Sequence, residues 1–202
     1  MSEYETYSVW IGLGGIIVTF LAVVVAIWGE RLRQSFSSPK LRISLESPAL
    51  TSCNDGHQGW YYILCVKNER SSSPATNVQV LLTRVLKPTP EGAWEEQKFS
   101  GPVPVMWRWP QIQPPYETVG PDKWATFGYV IANTQDLVLQ LYFRPNNLPP
   151  SISPNDATRL EFCAVSDTGR SKPIVVQVNW DGGWAEDADE MHSHLTVQSV
   201  PA

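Results

Sequence analysis

His192 and His194, with Asp187, Asp189 and Glu190 just ahead of them, form the densest group of metal-capable side chains in the chain. On an extended strand two imidazoles at this spacing share a face, where one divalent cation could take both. On a helix they would point about 200° apart and could not. Only His57 remains elsewhere to complete a ligand set. The stretch from Ala185 to Met191 therefore reads as a solvated acidic segment, and no metal or other cofactor is expected.

Trp107-Arg108-Trp109 offers a second chemistry. Strand alternation puts the two indoles on one face and Arg108 on the other. With Arg84, Arg144 or Arg159 nearby, such a pair could grip a planar anionic ligand such as a nucleotide. Trp180-Asp181-Gly182-Gly183-Trp184 brackets a tight turn, because Asp and Gly tolerate positive φ, and its indoles could stack on a ligand too. Trp107, Arg108, Trp109, Trp180 and Trp184 are thus the candidate ligand contacts. The commoner fate of tryptophan in a β-sandwich is burial in the core.

Cys53, Cys65 and Cys163 are odd in number and fit no zinc spacing. Cys65 and Cys163 fall in strand-like segments and could face each other across a sandwich core. They are read as free, buried thiols. No nucleophile elbow, phosphate loop, H-E-x-x-H or dinucleotide fingerprint occurs, so no catalytic residue is assigned and the chain reads as non-enzymatic.

Eight segments could position these side chains: 41–45, 60–66, 77–86, 103–109, 124–132, 137–143, 159–165 and 173–180. They are rich in β-branched and aromatic residues and are separated by Pro, Gly, Asn and Ser. That pattern predicts an antiparallel sandwich over residues 40–182, followed by an acidic segment at 183–202. A turn or two of helix is expected around Glu186 to His194. The net charge of −5 argues against nucleic acid as the main partner.

Val66-Lys67-Asn68 followed by Pro74-Ala75-Thr76-Asn77-Val78-Gln79-Val80 resembles the strand pairs of immunoglobulin-like domains in bacterial envelope proteins. The whole layout is similar to that of uncharacterised bacterial proteins with one N-terminal helix and such a domain. The resemblance implies a sandwich and no activity.

The N-terminal part carries the strongest composition signal. Val9 to Trp28 is an uncharged run of the length of a membrane-spanning helix. Trp10 and Trp28 mark its ends, and Arg31 and Arg33 follow it, which by the positive-inside rule places residues 1–8 outside and the rest in the cytoplasm. Ser8, Gly12, Gly15, Thr19, Ala22, Ala26 and Gly29 recur at a 3.5-residue period, a seam along which helices associate. The fold expected is one N-terminal transmembrane α-helix, a linker at 29–39 and an all-β immunoglobulin-like sandwich, in a bacterial inner membrane. The expected partners are membrane lipid and either a second copy or another membrane protein. The expected role is a non-catalytic, membrane-tethered interaction or scaffold module. Its rivals are a membrane effector triggered by a nucleotide-like signal and a metal-dependent enzyme.

Overall fold

The computed structural model describes residues 18–20, 22–25, 28–29, 39–52, 57–70, 74–108, 116–132, 134 and 136–201. The chain divides into two units, Met1–Ser38 and Pro39–Ala202. The second is built from β1 (Leu41–Leu45), β2 (Ala49–Ser52), β3 (Gln58–Asn68), β4 (Ala75–Pro88), β5 (Trp94–Gln97), β6 (Val103–Pro104), β7 (Met106–Trp107) and β8 (Glu117–Val119). There follow β9 (Asp122–Ile131), β10 (Leu137–Leu139), β11 (Ser151–Ile152), β12 (Thr158–Ser166), β13 (Gly169–Arg170), β14 (Ile174–Trp180), a helix α1 (Ala188–His194) and β15 (Leu195–Val200).

Alternation decides which face each long strand buries. Trp60, Tyr62, Leu64 and Val66 of β3 enter one core, as do Leu160, Phe162 and Ala164 of β12 and Ile174, Val176, Val178 and Trp180 of β14. Burying those faces against each other yields two sheets. One runs β1-β3-β9-β10-β11, with β2 also on β3 and β7 on β9. The other runs β15-β14-β12-β4-β5, with β13 on β12 and with β6 and β8 on β4. Phe127 and Phe162 meet between the sheets with ring centroids 5.3 Å apart, and Tyr62 lies 6.3 Å from Phe127. Truncating either phenylalanine to alanine would cost about 3–5 kcal/mol.

Both asparagines of the segment 66–80 have structural work. Asn68 is buried, and its Oδ1 accepts the backbone N–H groups of Lys40 at 3.1 Å and Arg70 at 3.2 Å. Asn77 sits at φ 52°, a left-handed conformation that asparagine tolerates, where the pairing of β4 with β8 shifts register. Its Nδ2 donates to Asp167 Oδ2 at 2.7 Å.

The segment expected to be an acidic tail is part of the sandwich. Asp187 caps α1 by accepting from the backbone of Asp189 and Glu190, both at 3.0 Å. Met191 of α1 is buried, and β15 pairs along β14 from Trp180↔Leu195 to Val175↔Val200. Trp60 Nε1 donates to Ala185 O at 2.8 Å, which ties this segment to the opposite sheet.

The expectation of a transmembrane helix ahead of an immunoglobulin-like sandwich is corrected. No helix among the described residues is long and apolar enough to cross a membrane. The helix α1 has seven residues, about 10 Å, a third of a hydrocarbon core. In the span expected from Val9 to Trp28, residues 18–20, 22–25 and 28 are described and helical, as is residue 29; the rest of that span lies outside the described residues. The single-pass, inner-membrane placement falls with it. Of the association seam, Thr19, Ala22 and Gly29 lie on described helix, while Ser8, Gly12, Gly15 and Ala26 lie outside the described residues. Trp28 is exposed; Trp10, Arg31 and Arg33 also lie outside the described residues. The architecture is two β-sheets and, among the described residues of the second unit, one short helix.

Candidate functional site: the open edge of the sandwich

β1 closes one margin of the first sheet and β15 one margin of the second, and both border the same groove. The hydrogen-bond register shows what β1 presents there. Glu69 N donates to Lys40 O at 2.9 Å and Glu46 N to Ile63 O at 3.0 Å, so the even-numbered residues of this stretch face β3. In an antiparallel ladder the intervening residues point their N–H and C=O groups the other way. Leu41, Ile43 and Leu45 therefore turn toward the margin backbone groups that have no partner among the described residues, while their side chains reach the core. The same argument holds for β15. Asp181 N donates to His194 O at 3.1 Å, which turns the backbone groups of Val197 and Ser199 outward, while Leu195 N–H donates to Met191 O to close α1.

Between the two margins lie two connected hollows that share Leu45. The larger, about 590 Å³, runs from Lys40 past Ile43 to Ile174 and Ser199. Its charge is local and positive. Lys40 and Arg42 share Glu69 at 2.6 Å and 3.6 Å, and Lys172 has no ion-pair partner among the described residues. The hydrogen bond and charge of Lys40 hold the Glu69 carboxyl below its ordinary value.

The smaller hollow, about 380 Å³, opens where the edge strand breaks. β1 ends at Leu45↔Leu64 and β2 resumes on the same strand at Ala49↔Tyr61. Pro48, with no N–H to give, sits in the gap. Trp60, Tyr62, Met191 and His192 line it together with Glu46. Burial pushes the Tyr62 hydroxyl well above its ordinary pKa, and pushes the Cys65 thiol to about 11, with the Glu46 carboxylate adding to the latter.

The residues singled out for chemistry do not assemble. Trp107 is a core side chain on β7, opposite Ala125 and level with Leu64. Arg108 is half-buried, its backbone N–H donating to Trp124 O at 2.8 Å, and Trp109 lies outside the described residues. Trp180 is buried and donates its indole N–H to Gly183 O at 3.1 Å, closing its own turn. Trp184 packs half-buried against the core, with no hydrogen-bond partner for its indole N–H. The turn ends beside Trp60, four residues along β3 from Leu64, or roughly 13 Å, so Trp107 and Trp180 serve different ends of the core. Arg84 pairs with Glu96 and Glu161, and Arg159 stacks 4.0 Å over Trp94.

His192 and His194 sit on α1, in the geometry that separates them. His192 lines the smaller hollow, and His194 pairs with Asp181. Among the described residues no group of three or more His, Cys, Asp or Glu could hold a metal ion. Cys65 and Cys163 are free and buried. Leu64 and Val66 flank Cys65 and enter the core, as Phe162 and Ala164 do around Cys163. Alternation therefore turns both thiols to the outer faces, one on each sheet, and they do not face each other. Cys53 lies outside the described residues.

No protein-family model matches the chain, and no curated protein matches it.

Proposed function

We propose that the β domain is a non-catalytic interaction module that binds partner proteins along its open edge. The observation that carries this reading is the pairing of β1 and β15 as two margins that present outward backbone groups on either side of an apolar groove. Edge strands of this kind are templates for an added strand, and proteins usually blunt them where no partner is meant to bind. Along the β1 margin the blunting devices are the charged Lys40 and Arg42 at its start and Pro48 beyond its end, and Ile43, Ser44 and Leu45 between them carry none. Trp107 and Trp180 are buried in the core, which takes two of the candidate indoles away from the nucleotide-triggered rival.

A photo-reactive residue tests the reading when placed at Ser44 on β1, at Ser199 on β15, or at Gln177 on β14 away from the groove. Ultraviolet exposure of the full chain in extract of its own cells should yield the same discrete adduct from the Ser44 and Ser199 positions and not from Gln177. Adducts only at Gln177, or none at all, would contradict it.

A further inference from the structure

We infer that the partner segment is an extended peptide, acidic at one end and apolar at alternate positions, which adds to β1 rather than to β15. This rests on the edge-binding reading above and names the chemistry of the occupant.

The choice of margin comes from continuity and charge. β1 offers its outward backbone groups beside the larger hollow, at Leu41, Ile43 and Leu45. A strand laid there would extend the first sheet, and every second side chain would drop towards Ile174 between the sheets. The remaining side chains would stand on the outer face beside Arg42, at cross-strand distance, where an opposite charge stabilises and a like charge repels.

The chemistry of the segment follows from the lining. The chain as a whole carries −5, yet its larger hollow is bordered by Lys40, Arg42 and Lys172 against Glu69 alone. Lys40 and Arg42 are largely exposed, so their links to Glu69 are weak and exchangeable, and Lys172 has no ion-pair partner among the described residues. The opposite end of the groove carries Glu46 and His192 instead. Charge thus runs from positive to negative along the groove and sets the orientation of the segment. Its carboxylates belong at the Lys40–Lys172 end, and its apolar residues over Ile43 and Leu45.

Two synthetic peptides of about eight residues, the length of an ordinary strand, test this on the full chain. Both alternate Val and Thr, one ending in paired glutamates and the other in paired lysines. Fluorescence anisotropy should show the acidic peptide binding about tenfold more tightly, a margin that shrinks in high salt. The double variant R42E/K172E, changed only at exposed positions, should reverse the preference. Amide hydrogen exchange should show protection gained at Leu41, Ile43 and Leu45. Protection gained at Val197 and Ser199 instead would overturn the inference and leave the edge-binding reading intact. Equal binding of both peptides would overturn the acidic assignment. No binding and no protection at either margin would overturn the inference and the reading together.

Discussion

His194 Nδ1 lies 3.0 Å from the Asp181 carboxylate, and the imidazole ring fills the space where a side chain at residue 183 would begin. An ionised carboxylate can only accept, so Nδ1 carries the proton it donates. The same carboxylate accepts Gly183 N at 2.7 Å. One aspartate thus fixes both the turn after β14 and the end of α1, which brings β15 to its place on the margin of the sheet.

Gly183→Ala should destabilise the domain by about 1–3 kcal/mol, because a Cβ there collides with the His194 ring. In a His194→Ala background most of that cost should vanish. Urea unfolding of the wild type, both single variants and the double variant measures the coupling. Additive effects would show that the ring is not what fills the space.

Asp181 also sets a pH dependence. The hydrogen bond from His194, and next that from Gly183 N, hold its carboxyl below the ordinary value of 3.8. A depressed folded-state pKa means the unfolded chain binds more protons in that interval. The stabilisation is therefore present above about pH 3.8 and lost as pH falls through the lower, folded value. Urea midpoints recorded between about pH 2 and pH 6 should fall less steeply on the acid side for Asp181→Asn than for wild type. Identical slopes would remove Asp181 from the account. The carboxylate is exposed, so the difference is small and screened by salt.

Asn68→Ala should cost about 1–3 kcal/mol, since it strips the acceptor from two backbone N–H groups, those of Lys40 and Arg70. Asn68→Asp keeps an acceptor and should cost less. The larger loss should be accompanied by faster amide exchange at Arg42 and Ser44, because Asn68 holds the start of β1 against β3. Loss of stability without a change at β1 would point to a different role.

The two buried cysteines should not form a disulfide with each other. Oxidation of a Cys53→Ser variant, read by mass spectrometry after digestion, should leave Cys65 and Cys163 reduced or joined only between molecules. Both thiols should react slowly with an aromatic disulfide reagent until denaturant is added, as burial raises their pKa values. An internal 65–163 bridge would contradict the outward orientation of both side chains.

Local pattern carried much of this architecture and tertiary context the rest. Alternation in Leu41-Arg42-Ile43-Ser44-Leu45 marks β1 to the residue. The run 60–66 marks β3 less its ends, because Gln58, Gly59, Lys67 and Asn68 are strand only through pairing with Ile131 and Asp122 and with β1 and β2. The run 103–109 reads as one strand but is split into β6 and β7. Pro104 lacks an N–H, and Val105 bridges to Leu141 between them. β5, with the sequence WEEQ, has little strand character of its own and exists as the partner of Val85–Pro88. β15 was hidden behind an acidic stretch that reads as a solvated tail. Buried Met191 ahead of it, and the alternation of Leu195 and Val197 within it, are the traces that the chain turns inward again. The open edge was not legible at all, because which strands end a sheet is decided by the pairing of segments far apart in sequence. Its nearest sequence traces are the Ser47-Pro48 and Lys172-Pro173 pairs, where a proline interrupts pairing beside the groove.

The central claim is that the β1 margin, which no described residue covers, is poised to take another strand. Amide hydrogen exchange resolved to single residues tests it most directly. The account predicts an alternating pattern in the protein alone: Arg42 and Ser44 protected by β3, with Ile43 and Leu45 between and after them exchanging fast. Uniform protection from Leu41 to Leu45 would show that the margin is already covered, and would contradict the account.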